Sequence, residues 1–285
     1  QKKQIIGMVS GIVIMVILSL IDYSFILRFS WIIYLLAVGL LALVLVAGDS
    51  SKGAQRWFEI GGIRFQPSEL VKILLILFFA YYFMKYEEKI NTVRVIVSSF
   101  VLLAIPLFLI YKQPNLSTMI VITLVFCALL FMAGLNYKLV VGVLIVCIPV
   151  GLIGMTLIIQ DKIPFIHAYQ LGRIMAWLYP DDYPQASMQS RYSMYAIGFG
   201  GLLGRGLGNG TMKYYLPYAM NDFIFGVIGE ELGLVGCGLV IFLFIYQVWR
   251  VFTVSQHAKD RLGSYMAFGI GIHVALQVLL NFYTV

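Results

Sequence analysis

The stretch F-S-W-I-I-Y-L-L-A-V-G-L-L-A-L-V-L-V-A-G, from Phe29 to Gly48, contains no charged residue. An α-helix needs about 20 apolar residues to span the hydrocarbon core of a bilayer, which is the length of this run. Strand edges without partners cannot face lipid, and the run lacks the alternation of apolar and polar residues found in outer-membrane barrels. The stretch therefore predicts a membrane-spanning helix.

The whole chain has the composition of a membrane protein, with 61% hydrophobic and 12% charged residues and a mean hydropathy of +0.93. So few charges cannot cover a soluble globule. Seven further apolar stretches resemble the first: Ile5–Ile21, Leu70–Met84, Val93–Tyr111, Leu116–Gly134, Leu139–Ile159, Phe223–Val248 and Ser264–Val285. The sequence predicts an all-α polytopic membrane protein, a single domain over residues 1–285 with about eight transmembrane helices. Because no Met begins the chain and no polar tail ends it, we expect it to be trimmed at both ends.

The net charge of +7 comes from Lys and Arg residues that are dispersed among the connections. This dispersal favours anionic lipid headgroups as partners and argues against nucleic acid, which needs basic residues gathered on one face. Three cysteines lie in three different apolar stretches without paired spacing, so they predict neither a disulfide nor a metal site: Cys127, Cys147 and Cys237.

Two connections are long, Asp49 to Glu69 and Gln160 to Asp222, and an even number of crossings places them on the same side. The short connections on the other side hold eight Lys and Arg, against six in short segments on this side. The positive-inside rule therefore predicts that both long connections are extracytoplasmic. The second is rich in aromatic residues and glycine, which favours a folded, re-entrant cap over disorder.

The first long connection ends in Q-P-S-E-L-V-K, Gln66–Lys72, which is a good start for a helix. Glu69 in the first turn suits the helix dipole, and Lys72 lies three residues further, where the two side chains can pair. An ion pair at the edge of a membrane helix indicates function, although helix-start electrostatics alone would also explain Glu69. Arg56 and Trp57 fit a functional role and also a role as interface anchors.

The stretch A-I-G-F-G-G-L-L-G-R-G-L-G-N-G, Ala196–Gly210, contains seven glycines. No strand precedes it and no Lys-Ser/Thr follows, which argues against a nucleotide loop. The glycines favour tight turns and close packing of a short interfacial helix, and a backbone amide nest for phosphate stays open as an alternative.

Three carboxylates belong to the apolar stretch N-D-F-I-F-G-V-I-G-E-E-L-G, Asn221–Gly233. Asp222 is placed to serve as an N-cap, while Glu230 and Glu231 come about 12 Å further along the helix. Because charges in hydrocarbon are costly, at least one of the two glutamates should face a polar interior. Cations and carboxylates gathered at one membrane face predict a site for an amphiphile with an anionic head.

The motifs together resemble the SEDS (shape, elongation, division and sporulation) family. The resemblance rests on Gly53–Trp57, Gln66–Lys72, Gln113–Ser117, Gln189–Thr211 and Asn221–Gly233, in this order along the whole chain. The chain departs from the family pattern in three places. Asn115 stands where an aspartate is usual, Phe199 stands where a serine is usual, and the loop P-D-D-Y-P-Q-A-S, Pro180–Ser187, differs from the commoner pattern.

The resemblance implies a ten-helix fold of which this chain holds the second to the ninth helix, in the bacterial plasma membrane. It implies a peptidoglycan glycosyltransferase that polymerises lipid II and acts with a class B penicillin-binding protein. The family's catalytic aspartate corresponds to Asp222, and functionally important residues correspond to Arg56, Glu69 and Lys72. It does not separate roles in cell elongation, division or sporulation.

For this reaction we expect Asp222 to act as the general base. Arg56, Arg64 and Lys72 are the expected substrate-binding cations that stabilise the leaving pyrophosphate. A divalent cation, Mg²⁺ or Mn²⁺, could share that task, although no set of metal ligands shows in the sequence. The expected supporting residues are Trp57, Glu69, Gln113, Ser190, Glu230 and Glu231. Two alternatives stay open: a flippase for the lipid-linked precursor, and a non-catalytic scaffold for a penicillin-binding protein.

Overall fold

The structure is a computed structural model that describes residues 2–51, 54–60, 63–138, 140–142, 145, 149, 156, 172, 175–176, 178–215 and 222–284. Its helices are α1 (Lys2–Ser19), α2 (Tyr23–Leu27), α3 (Ser30–Ala47), α4 (Pro67–Lys85), α5 (Val93–Lys112), α6 (Leu116–Met132), α7 (Pro184–Gly200), α8 (Ile224–Gln256) and α9 (Arg261–Thr284). Short 3₁₀ turns lie at Glu87–Lys89 and Met212–Tyr214.

The helical membrane fold expected from the sequence is confirmed. Among the described residues, α3, α4, α5, α8 and the Arg261–Tyr283 part of α9 are long and apolar enough to cross a membrane. Two predicted spans, those within α1 and α6, are apolar but shorter. The predicted span Leu139–Ile159 lies mostly outside the described residues, as does much of the predicted loop Gln160–Asp222. Helix α8 continues to Gln256, beyond the predicted end at Val248.

The chain forms two compact units. The first comprises Gln1–Asn136 and Val251–His273, and the second comprises Tyr137–Arg250 and Val274–Val285.

Aromatic side chains form much of the core of the first unit, where α3 packs on α4 and α4 packs on α6. Phe78 of α4 contacts Trp31 and Tyr34 of α3, with ring centroids 5.3 and 4.6 Å apart. Phe79 meets Phe126 of α6 edge to face at 4.9 Å. Edge-to-face pairs stabilise packing by about 0.5–1.5 kcal/mol beyond their buried area, so this cluster fixes the helices that carry the first group of site residues.

The connection between α3 and α4 forms a small antiparallel sheet that the sequence analysis did not predict. Its strands are β1 (Asp49–Ser51), β2 (Ala54–Ile60) and β3 (Ile63–Phe65), in the order β1-β2-β3. Asp49 pairs with Trp57, and Glu59 pairs with Arg64. The sheet gives Arg56 and Trp57 a fixed backbone instead of a flexible loop.

Helix α8 in the second unit is broken at Gly233, whose backbone is non-helical with φ 65° and ψ −165°. A positive φ of this kind is open to glycine at no steric cost, which explains this residue here. The break divides α8 into a first half, Ile224–Leu232, and a second half that begins at Gly233 and runs to Gln256. Asp222 lies just before the first half.

Candidate functional site

The predicted site residues are divided between the two units. The first unit holds Arg56, Trp57, Arg64, Glu69, Lys72 and Gln113, and the second holds Ser190, Asp222, Glu230 and Glu231. The side chain of Arg64 lies outside the described ones. Trp57 is half-buried in β2, and Ser190 is half-buried in α7.

Arg56 is bound to the C-terminal end of α5. Its Nε donates to the main-chain oxygen of Gln113 at 2.7 Å, and its Nη2 donates to the main-chain oxygen of Pro114. The last carbonyls of a helix lack partners within the helix and carry the negative end of its dipole, so a guanidinium there is stabilised. Arg56 thereby links β2 to the turn between α5 and α6.

Gln113 is the C-cap of α5 and is only 1% exposed. Its Nε2 donates to the main-chain oxygen of Leu41 in α3 at 3.2 Å. Because a buried amide that lacks hydrogen bonds is costly, this contact explains why a polar residue is tolerated at this position. Gln113 therefore holds α3 against the same turn that Arg56 binds.

Asn115 caps α6, since its side chain accepts a hydrogen bond from the N–H of Thr118 at 3.3 Å. Asparagine and aspartate cap helices about equally well. The departure from the aspartate usual in the family therefore preserves the helix start.

The expected ion pair at the start of α4 is confirmed. Lys72 Nζ lies 2.8 Å from Glu69 Oε2, with side-chain exposures of 3% and 52%. The helix begins at Pro67, as the Gln66–Lys72 stretch predicts. Lys72 also lines a small cavity with His273 and with apolar side chains of α4 and α6. The ammonium group is thus held inside the helix packing, with its charge balanced by Glu69.

Asp222 is exposed in the turn that precedes α8. The first carbonyl to accept an intrahelical bond is that of Phe223, which receives the N–H of Val227. The helix itself begins at Ile224, and the expectation that Asp222 caps it stays a prediction. Phe223, which lies between the two, is buried against Val227, Tyr192 and Ile224.

Glu230 is fully buried and has the partners that the sequence could not identify. Its Oε1 accepts from the N–H and the hydroxyl of Thr211, at 2.7 and 3.0 Å, and its Oε2 accepts from the N–H of Met212 at 3.0 Å. Arg205 Nη1 lies 3.7 Å from Oε1 and also donates to the Thr211 hydroxyl. We call Glu230, Arg205, Thr211 and Met212 the Glu230 clasp.

The glycine-rich segment also fills the break in α8. The N–H groups of Arg205 and Gly206 donate to the carbonyls of Glu230 and Glu231, which end the first half of the helix. The carbonyls of Gly201 and Leu202 accept from the N–H groups of Leu234 and Val235, which begin the second half. Backbone groups at helix ends need partners in an apolar environment, so this segment allows a broken helix in a membrane.

The segment therefore behaves partly as expected. It makes tight turns, with positive φ at Gly201, Gly204, Gly206 and Gly208, and it packs closely on its neighbours. The amides following it bind the carboxylate of Glu230, which is the type of anion contact that the sequence analysis considered for phosphate. Sequence reasoning missed Arg205 and Thr211, and the signal for both was a glutamate in an apolar stretch without a cation in the first half of its own helix.

Glu231 is half-buried beside the clasp. No group of three or more His, Cys, Asp or Glu residues that could hold a metal ion occurs within the described ranges. The described residues thus offer no cluster of protein ligands for the Mg²⁺ or Mn²⁺ considered from the sequence.

Comparisons with known proteins agree on one family. The model of the FtsW, RodA and SpoVE family, described as cell cycle protein, matches residues 1–285. A relative from Trichlorobacter lovleyi, named probable peptidoglycan glycosyltransferase FtsW, is 36% identical over 98% of this chain and 72% of its own length. A relative of the same name from Escherichia coli O6:H1 is 32% identical over 98% of this chain and 67% of its own length.

Solved structures show the same fold. A chain from a peptidoglycan synthase complex that coordinates polymerization and crosslinking matches 99% of this chain and 78% of that chain, with a TM-score of 0.78 and 24% identity. The rod shape determining protein RodA of Thermus thermophilus matches 95% of this chain and 71% of that chain, with a TM-score of 0.64 and 23% identity.

Proposed function

We propose that this chain, which belongs to the FtsW, RodA and SpoVE family, is a peptidoglycan glycosyltransferase of the bacterial plasma membrane. Relatives named for that activity share about a third of their residues with almost the whole chain. The apolar helices and the polytopic helical fold support an enzyme that meets its substrate within the membrane.

The substrate is lipid II, the disaccharide-pentapeptide carried on undecaprenyl pyrophosphate. A sugar hydroxyl of the acceptor forms a bond to the anomeric carbon of the donor, the carbon–oxygen bond to the pyrophosphate breaks, and undecaprenyl pyrophosphate leaves with the electron pair. A carboxylate that takes the hydroxyl proton as the bond forms contributes about 10²–10⁴ in rate. A single displacement at an α-linked donor gives a β-linked glycan, so the reaction inverts the configuration.

The observation that carries this proposal is the different placement of the acidic groups near the start of α8. Glu230 is fully buried and accepts hydrogen bonds from Thr211 and Met212, whereas Asp222 is exposed before the first turn. A base must reach the substrate hydroxyl, and an exposed carboxylate at the end of a membrane helix meets that requirement. Asp222 is therefore the proposed general base.

Arg56, Arg64 and Lys72 are the proposed cations for the leaving pyrophosphate. Charge-assisted hydrogen bonds from fixed donors stabilise developing negative charge. The two carbonyl contacts of Arg56 support it, because they hold the guanidinium in place. Lys72 is buried and paired with Glu69, which orients its ammonium group at the start of α4.

The partner we propose is a class B penicillin-binding protein. The support is the matching chain from a complex in which polymerization and crosslinking are coordinated. The reaction would then produce strands beside the protein that crosslinks them.

The test is polymer formation from purified lipid II by the full-length protein with its partner. Asp222→Asn removes the base and keeps the size of the side chain, so we expect membrane insertion and thermal stability to persist while turnover falls at least 10²-fold. Asp182→Asn is the matched control, because Asp182 is an exposed aspartate of the same unit. Turnover by Asp222→Asn within tenfold of the original protein would remove Asp222 from the mechanism.

A second candidate function is translocation of the lipid-linked precursor, and the break in α8 favours it. Discontinuous membrane helices often form the binding sites of transporters. One purified preparation in vesicles, assayed for both glycan polymer and lipid II reaching the opposite leaflet, separates the two functions. Polymer without translocation supports the transferase, and translocation that persists in Asp222→Asn supports the transporter.

A further inference from the structure

We propose that Glu230 is a positioning residue for Asp222, acting through the Glu230 clasp. The inference rests on the proposed function, because it gives Asp222 the role of base. Arg205, Thr211 and Met212 then contribute to catalysis indirectly, because they hold Glu230 in place.

The clasp closes the segment of chain that contains Asp222. Thr211 and Glu230 are 19 residues apart and are joined by two hydrogen bonds, and Asp222 lies between them in the sequence. One end of the segment is fixed where Thr211 and Met212 meet the carboxylate. The other end is the first half of α8, which carries Glu230 itself. Opening the contact would therefore release Thr211 and Met212 from the half-helix that follows Asp222.

The contact depends on the charge of Glu230. The two carboxylate oxygens accept from two backbone N–H groups and one hydroxyl, and the guanidinium of Arg205 is 3.7 Å away. A carboxylate is fully an acceptor, whereas an amide presents one acceptor and one donor. In Glu230→Gln one of the two oxygens becomes an NH₂ group. With the NH₂ in the Oε1 position the Thr211 N–H loses its acceptor. With the NH₂ in the Oε2 position the Met212 N–H faces a donor and keeps only its longer contact to Oε1, at 3.2 Å.

Arg205 is held where it can balance this charge. Its N–H donates to the Glu230 carbonyl, its Nη1 donates to Thr211, and its guanidinium lies over the ring of Phe199, 5.0 Å from the centroid. A fully buried carboxylate is costly unless it is paired and hydrogen-bonded. Phe199, which replaces the usual serine of the family, thus takes part in holding the cation.

The glycine-rich segment packs tightly against Glu230 and Glu231. A Cβ on Gly210 would lie 2.9 Å from Glu230 Oε2, and a Cβ on Gly204 would overlap the carbonyl of Glu231. The backbone therefore approaches the carboxylate as closely as glycine allows. Such close fitting is expected of an element that sets a position to within a fraction of an ångström.

The experiment compares Glu230→Gln and Thr211→Val with the original full-length protein and its partner. Thr211→Val removes the hydrogen bond that the hydroxyl donates to Glu230 and the one that it accepts from Arg205, with almost no change of shape. A displacement of about 1 Å at a reacting group lowers rates by up to about 10²-fold, so we expect kcat to fall about 10- to 100-fold in Glu230→Gln and less in Thr211→Val. We expect KM to stay within about threefold, because the proposed role of the clasp is to position Asp222 and not to bind substrate. Glu88→Gln, the same change at an exposed residue of the first unit, should leave both parameters unchanged.

Hydrogen exchange gives a readout that is independent of turnover. We expect the peptides covering 205–212 and 222–230 to exchange faster in Glu230→Gln, while the 67–85 helix keeps its protection. Unchanged exchange in both peptides, or kcat within twofold of the original protein, would overturn the proposal. If Glu230→Gln does not accumulate in the membrane, Thr211→Val decides by the same two measurements.

Asp222→Asn in the same assay separates this inference from the proposed function. An inactive Asp222→Asn together with a fully active Glu230→Gln removes only the positioning role. An active Asp222→Asn removes the base itself, and the positioning role with it.

Discussion

Lys72 Nζ lies 2.8 Å from Glu69 Oε2, and the two side chains differ sharply in exposure, at 3% for the lysine and 52% for the glutamate. The ammonium group is thus enclosed by helix packing, while the carboxylate keeps contact with the surroundings. The difference in exposure predicts that replacing the glutamate and replacing the lysine change stability by different amounts.

Removing Glu69 should destabilise the protein more than removing Lys72. Glu69→Gln leaves a buried ammonium without its counter-charge, which costs about 1–3 kcal/mol. Lys72→Met instead places an apolar side chain among apolar neighbours, which is tolerated better. Thermal unfolding in detergent measures the loss of stability in each variant. The double variant should lose as much stability as Lys72→Met alone. A larger loss of stability in Lys72→Met than in Glu69→Gln would contradict the prediction.

Arg56→Lys should weaken the link between β2 and the end of α5. Lysine cannot reproduce the fixed geometry with which Nε and Nη2 of Arg56 bind two successive carbonyls. We expect a loss of about 1–2 kcal/mol in stability together with lower polymerase activity. Arg94→Lys is the control, because Arg94 is exposed at the opposite end of α5. Equal melting temperatures for Arg56→Lys and Arg94→Lys would show that the carbonyl contacts contribute little.

Gly200→Ala should disrupt the packing of α7 on the first half of α8. A Cβ on Gly200 would overlap the carbonyl of Gly229, whereas a Cβ on Gly198 would meet nothing within 4 Å. Small residues let helices approach closely in a membrane, so the space cannot be recovered by rotating a side chain. We expect Gly198→Ala to be neutral or slightly stabilising and Gly200→Ala to lose activity and thermal stability. Similar behaviour of the two variants would rule out close packing at Gly200.

Asn115→Ala should reveal the N-cap of α6. The lost hydrogen bond to the Thr118 N–H should lower stability by about 1 kcal/mol. Thr92→Ala is the matched control, since Thr92 occupies the N-cap position of α5 without a side-chain capping bond. The measurement is again the melting temperature in detergent, and equal shifts for the two variants would exclude capping by Asn115.

Several features follow directly from local sequence. The start of α4 at Pro67 and the Glu69–Lys72 pair depend on residues three positions apart, so helix geometry alone places them. The start of α8 was predicted within one residue, since the apolar stretch begins at Phe223 and the helix at Ile224. The predicted role of Asp222 as base stays a prediction.

Contacts between distant segments could not be predicted in this way. The sheet of β1, β2 and β3 contains no long apolar alternation, and Arg56 binds carbonyls 57 and 58 residues away. Backbone carbonyls have no signature in a sequence, so an arginine that binds them resembles any arginine at a membrane interface. The partners of Glu230 were hidden for the same reason, since two of its donors are backbone amides.

The sequence by itself determined that the chain is a helical membrane protein, because uninterrupted apolar runs leave the backbone no other way to satisfy its hydrogen bonds in lipid. It also determined the family, through motifs that extend along the whole chain. Only the tertiary structure decided which acidic residue is buried and which is exposed. Glu230 is buried because the N–H groups of Thr211 and Met212, which directly follow the glycine-rich segment, bind its carboxylate. Asp222 lies before the first turn of the same helix and is exposed.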